Sequence, residues 1–267
     1  MDGTPHPYPL PQGERVFGLF SASEKFLLLP MSLSNSTIFG PLFGDEDVNR
    51  LFSDRVYVHA LVDVEIALAR AEARVGVIPA SAADAIGKLT ADKIDLAALT
   101  AGTIRSGFPI IALVQELRKQ VSADAAPYIH WGATTQDIMD TACVLQLRRV
   151  IESIDKRIGE IIRNLSELAN RHRSTVLAAR THGQQALPTT FGLKVAGWLA
   201  PLLRHVQRLR EIEARLFVVQ FGGAAGTLAA LGDKGSAVTR ALAQELKLGV
   251  PAMPWHAQRD CFVEFAS

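Results

Sequence analysis

The chain has 267 residues, 48% of them hydrophobic, which is enough for one large domain or two small ones around a sizeable core. Its 28 Lys and Arg against 27 Asp and Glu leave a net charge of +1, so charge gives no ground for a nucleic-acid or anionic-membrane partner. The 2 cysteines make neither a disulfide framework nor a metal-ligand spacing, and no apolar run reaches the roughly 18 residues of a membrane span, so a cytoplasmic location is expected.

Residues 1–30 stand apart from the rest. Pro5, Pro7, Pro9 and Pro11 oppose regular structure, and the apolar stretch that follows is broken by Ser21, Ser23, Glu24 and Lys25, unlike a secretory signal. This segment reads as a disordered extension, with Met31 as a candidate start.

Residues 31–128 read as a small helical N-terminal domain. Asp54 is placed to cap a helix running through Val62, Ile66, Ala69 and Ala73 to Gly76, with Pro79 beyond its stop. Shorter helical patterns follow at 81–89, 95–103 and 109–122. Residues 129–267 read as a central helix-bundle domain. Apolar residues recur at Leu147, Ile151, Ile154, Ile158, Ile161, Leu165 and Leu168, alternating steps of four and three. That seam predicts a helix over about 137–171, roughly 50 Å long. A second long helix is expected from about Thr189, with Val195, Trp198, Leu202, Leu209, Ile212 and Leu216 on one side. Apolar faces this wide call for partners beyond one chain. The run Gly222-Gly223-Ala224-Ala225-Gly226-Thr227 lacks the preceding strand of a phosphate loop and reads as a flexible or close-packed turn. Helix resumes near Asp233, and a last helix begins near Gln258. The expected fold class is therefore all-α, with no substantial sheet.

Two polar clusters, each opening a long helix, carry the candidate chemistry. In Arg180-Thr181-His182-Gly183-Gln184, His182 is surrounded by hydrogen-bonding groups and suits proton transfer, or else caps the next helix. Thr181 and Gln184 supply donors for an anionic ligand. In His130-Trp131-Gly132-Ala133-Thr134-Thr135-Gln136-Asp137, Thr134, Thr135 and Gln136 can cap the long helix and, by the same geometry, bind carboxylate oxygens at its N-terminus. His130 fits either a substrate contact or a satisfied buried histidine. Arg259 is either an anion clamp or half of an ion pair with Asp260 or across helices. The 7 histidines show no ligand spacing, and a metal is not expected.

These loops resemble the first two signature regions of the fumarase/aspartase/adenylosuccinate lyase superfamily. The first reads like H-x-G-x-T-S-x-D, with Thr135 where serine is usual. The second reads like R-T-H-x-Q-x-A-x-P-T-T, matched by Arg180, Thr181, His182, Gln184, Ala186, Pro188, Thr189 and Thr190. The stretches Tyr128–Asp137, Gln184–Pro188, Phe191–Lys194, Gln220–Ala229 and Pro254–Asp260 resemble its cycloisomerase branch. Gly107-Phe108-Pro109, where adenylosuccinate lyases usually carry Arg-His-Asp, argues against a nucleotide substrate.

The resemblance implies a bundle of the fumarase/aspartase type, incomplete at its C-terminus. It also implies a homotetramer in which each site draws on three subunits, and a third signature loop that these residues lack, so that little turnover is expected of them alone. The implied substrate is a small tricarboxylate of aromatic degradation by the β-ketoadipate pathway. One of its carboxylates adds to a conjugated double bond to close a lactone, and a proton goes to the neighbouring carbon. No cofactor is needed, because conjugation already activates that carbon. His182 would move or polarise the proton, with Thr134, Thr135, Gln136, His130, Thr181, Gln184 and Arg259 binding substrate. A lyase acting on C–N or C–O bonds and a non-catalytic helical remnant remain as alternatives.

Overall fold

The computed structural model describes residues 36–267, so the extension read at 1–30 lies outside it. The chain divides into units 1–46 and 47–267. Within the first, α1 (Gly40–Phe43) is a single proline-started turn, while α2 (Glu46–Leu51) belongs to the second but for its first residue. In the second, α3 (Asp54–Val75) begins one residue earlier than the sequence suggests. Ser53 is the N-cap, its hydroxyl accepting from the Val56 amide at 3.4 Å, and Asp54 becomes the acidic first-turn residue. Gly76 ends the helix at φ 72, a conformation that side chains disfavour. Then come α4 (Ala80–Ile86), α5 (Leu96–Ser106), whose cap Asp95 accepts from Ala97 and Ala98, and α6 (Ile110–Arg118). Helices α5 and α6 approach so closely at Gly102 that a Cβ there would lie 2.3 Å from that of Ala112.

One core joins these helices to later ones. Leu61 and Leu68 of α3, Leu113 and Leu117 of α6, Ile138 and Ala142 of α7 (Thr135–Arg171), Val219, Phe221, and Val238 and Leu242 of α9 (Gly235–Leu246) belong to a single buried cluster. Residues on both sides of position 128 therefore share packing.

Two carboxyls sit inside that core. Leu61, Glu65, Leu68 and Glu72 are all buried, at steps of four, three and four along α3. Neither oxygen of Glu72 has a hydrogen-bond partner. Burial, reinforced by the charge of Glu65, pushes its carboxyl up to about 9 from 4.5, so it stays protonated at neutral pH. Folding favours the protonated form. The stability this contributes is fully present below the unfolded value near 4.5 and is lost as pH rises through about 9. Glu72→Gln removes this dependence. Its melting temperature relative to wild type is expected to climb between about pH 5 and pH 9. A constant difference across that range would show that Glu72 ionises freely in the folded chain.

The long helices occupy the rest. Helix α7 spans 37 residues, as its apolar seam predicts. The stretch read as a loop after it is instead a β-hairpin, β1 (Val176–Thr181) with β2 (Gln184–Thr190), the only sheet among the described residues. Thr181 pairs with Gln184, which leaves His182 and Gly183 as a two-residue turn, both at positive φ (48 and 75). Two left-handed residues are what the right-handed twist of a tight hairpin requires, and glycine supplies the second at little cost. Helix α8 (Phe191–Leu216) starts at Thr190, whose hydroxyl accepts from the Leu193 amide at 3.2 Å. The Gly192 amide donates to the His172 carbonyl, and a Cβ at Gly192 would lie 2.6 Å from the Ala169 carbonyl oxygen. This contact fixes the hairpin at the C-terminal end of α7. Helix α8 then returns antiparallel, so that Ile212 and Leu216 near its end pack on Leu147 and Ile151 near the start of α7. Elsewhere the seam is open: Ile161 is 46% exposed, Trp198 49% and Leu203 51%. A short final helix, α10 (Asp260–Ala266), packs on α8. Among the described residues no helix is long and apolar enough to cross a membrane.

Candidate active site

Asp137 organises the N-terminal end of α7. Its buried carboxyl accepts four hydrogen bonds, from the Thr134 amide and the Gln220 side chain, and from the amides of Gly222 and Gly223, at 2.9–3.0 Å. Burial pushes this carboxyl up, and the four donors partly offset it. Gln220, fully buried, also accepts from the Trp255 amide at 2.6 Å and exchanges bonds with Thr141. The glycine run is thus a close-packed turn rather than a phosphate loop. Its amides point into Asp137, and a Cβ on Gly222 would lie 2.7 Å from Pro254.

On this platform sit the predicted residues of the first loop. Thr134, rather than Thr135 or Gln136, is the N-cap, and Thr135 is the first helical residue. The Gln136 side chain donates to the His256 carbonyl at 3.1 Å, tying the helix start to the segment before α10. His130 has φ 64, a left-handed conformation uncommon outside glycine. Its Nδ1 lies 2.7 Å from a carboxylate oxygen of buried Glu65. Burial opposes charging of the ring, but the Glu65 bond and charge, with Asp137, outweigh it and Arg118, so His130 is held above the ordinary histidine value. A histidine ring favoured in its charged form and the first-turn N–H groups of a 37-residue helix make this end attractive to carboxylates.

Arg259 lies at the same end, paired across helices with Asp140 rather than with its neighbour Asp260. Both Nη atoms meet the Asp140 carboxylate, at 2.7 and 3.0 Å, and the guanidinium lies 4.9 Å from the Phe262 ring and 5.7 Å from that of Trp255. Its side chain stays 47% exposed while that of Asp140 is 7% exposed.

The second loop is elsewhere. Thr181, His182 and Gln184 are exposed at the hairpin tip, beyond the opposite end of α7. At about 1.5 Å per residue, the 37 residues of α7 separate the two loops by roughly 55 Å. The structure brings His130, Thr134, Thr135, Gln136 and Arg259 to one end of the bundle, and places Thr181, His182 and Gln184 at the other. No single copy of the chain joins them into one site. Of the residues that organise the first loop, Glu65 and Asp140 were not singled out from the sequence, and Asp137 and Gln220 entered only as members of motif stretches with no role assigned. For Glu65 a signal existed, a carboxylate on the apolar stripe of α3. For Gln220 no pattern distinguishes it from a surface amide. Among the described residues no cluster of three His, Cys, Asp or Glu side chains could hold a metal ion.

An antiparallel long-helix pair, a polar loop at the N-terminus of one helix and a histidine hairpin at its far end define a helical lyase of the fumarase/aspartase type. Residues 45–267 match the lyase family, and the chain belongs to it. It is 47% identical over 234 residues to the 3-carboxy-cis,cis-muconate cycloisomerase of Pseudomonas aeruginosa, covering 86% of this chain and 51% of that one. It is 44% identical over 238 residues to the enzyme of the same name from Acinetobacter baylyi, covering 87% and 53%. Among solved structures it is similar to the 3-carboxy-cis,cis-muconate lactonizing enzyme of Pseudomonas putida, at TM-score 0.82 and 45% identity, covering 86% of this chain and 53% of that one. The chain spans about half the length of the curated relatives it matches.

Proposed function

We propose that this chain contributes to a 3-carboxy-cis,cis-muconate cycloisomerase that works as a homotetramer in the cytoplasm, each site combining loops from different subunits. The observation that carries the reading is 47% identity to a curated cycloisomerase across both loops. The separation of those loops by α7 supports the shared site. A second subunit lying antiparallel would bring its hairpin to the first subunit's α7 N-terminus, and the exposed Ile161, Trp198 and Leu203 offer apolar area for that packing.

In this reading a carboxylate of the tricarboxylate substrate rests against the α7 N-terminus. Thr134 and Thr135 supply hydroxyls, Gln136 is anchored through His256, and the His130 ring adds positive charge. Another substrate carboxylate adds its oxygen to the conjugated double bond and closes the lactone. The displaced electron pair spreads onto the carboxylate at the helix N-terminus, where donors already in place favour the extra charge of the transition state. His182, from the neighbouring hairpin with Thr181 and Gln184, moves the proton to the adjacent carbon. Arg259 orients substrate more than it attracts it, because Asp140 already balances its charge.

The direct test is lactone formation from 3-carboxymuconate, followed as loss of the diene absorbance. The shared site is tested by mixing. Thr135→Ala and His182→Ala proteins, each weak alone, are expected to recover about one quarter of wild-type turnover after joint unfolding and reassembly, because random pairing gives that share of sites both intact loops. No recovery would place both loops in one subunit's own site and sink the shared arrangement.

A further inference from the structure

Glu65 lies deep in α3, 65 residues before His130, on the stripe that otherwise carries Leu61 and Leu68. One of its oxygens meets His130 Nδ1 at 2.7 Å, and the other is buried without a partner. We propose that Glu65 is a positioning residue, which holds the His130 ring through Nδ1 so that Nε2 is left for a substrate carboxylate. This rests on the reading that His130 binds substrate.

Three observations carry it. A buried carboxylate is costly unless it is paired, and His130 is the only partner of Glu65 among the described residues. His130 also sits at φ 64, a backbone state that persists only where surroundings enforce it. The surroundings here are the Glu65 bond on one side and, two residues on, Gly132 at φ 66, packed so tightly that a Cβ would lie 2.8 Å from Leu231. The third observation is a contrast within the same helix. Glu72, one heptad further along the stripe, has no partner for either oxygen and keeps its proton. Of two buried glutamates one heptad apart, one is therefore bonded to a histidine of the site and the other has no partner. The titratable and charged groups facing the His130–Glu65 pair are Glu72, neutral, from α3, Asp137 from α7 and Arg118 from α6.

The test compares Glu65→Gln, Glu65→Asp and Glu72→Gln in the assembled enzyme, reading His130 titration by NMR together with kcat and KM against pH. Glu65→Gln is expected to lower the His130 titration point by about one unit. That makes the cationic ring about tenfold scarcer on the alkaline side and raises KM there about tenfold, with kcat changed less. Glu65→Asp, which keeps the charge, should restore most of the loss. Glu72→Gln should leave kcat and KM unchanged at neutral pH, because it replaces one neutral group with another. If Glu65→Gln cannot be obtained folded, the wild-type protein decides, since a His130 titration point above the ordinary histidine value supports coupling and an ordinary or lowered one overturns it. An unchanged titration point in Glu65→Gln overturns the proposal. So does a lowered one with unaltered KM, and in that case the failing premise is the role of His130, which Thr135→Ala distinguishes by still impairing turnover.

Discussion

In the assembled enzyme, with the third signature loop present, replacing His182 with alanine is expected to lower the maximal rate by about 100- to 10,000-fold while KM moves only a few-fold. A proton-transfer group acts in the transition state and contributes little to holding the ground-state complex. The fold makes this a clean experiment. His182 is exposed at the hairpin tip, and no packed side chain depends on it, so thermal unfolding should be unchanged. Arg259→Ala is expected to act in the other sense, chiefly on KM. It also strips the partner from Asp140, whose side chain is 7% exposed, so its effect on binding must be separated from a loss of stability. Thr135→Ala should fall between the two. Retention of the wild-type maximal rate by His182→Ala would return that histidine to the role of a turn residue.

Asp137→Ala is expected to cost about 3–5 kcal/mol of folding stability, at the upper end of what single substitutions do. The side chain accepts from two glycine amides, one threonine amide and one glutamine, all buried or half-buried, and alanine would leave all four donors unpaired. Water cannot easily replace the carboxylate, because Gly222 is packed on Pro254 and Gly223 lies under Gly132. Urea unfolding measures the loss. A change below about 1 kcal/mol would mean that the turn relaxes and satisfies its amides elsewhere. Because Thr134 is one of the four donors, a milder Asp137→Asn variant should loosen the substrate loop before it unfolds the chain.

Much of this architecture was legible because helices write their period into the sequence. The steps of four and three from Leu147 to Leu168 predicted α7 to within two residues of its observed start, and Gly76 marked the end of α3 by the left-handed conformation it supplies, whereas α5 runs three residues past the end read at 103, to Ser106. The hairpin was not legible as a sheet. Its strands are short and interrupted by Pro188, and both faces are wet, so no hydrophobic alternation forms. Only His182-Gly183 signalled it, as a two-residue turn ending in glycine. The loop motifs nominated His130, Thr134, Thr135, Gln136 and His182 as candidates, yet spacing along the chain says nothing about spacing in the molecule. Two motifs fifty residues apart look adjacent on the page, while a 37-residue helix holds them at opposite ends. Arg259 and Asp140, 119 residues apart, show the converse.

A two-stranded ribbon has little to hold it in water, and the one here exposes nearly every residue from Arg180 to Pro188. In the proposed tetramer the surface that completes the site is also the surface that steadies the ribbon. The order of His182 then becomes a property of concentration as well as of sequence. Dilution would disarm the enzyme through its tips while α7 and α8 remain helical, so loss of turnover would precede any loss of secondary structure.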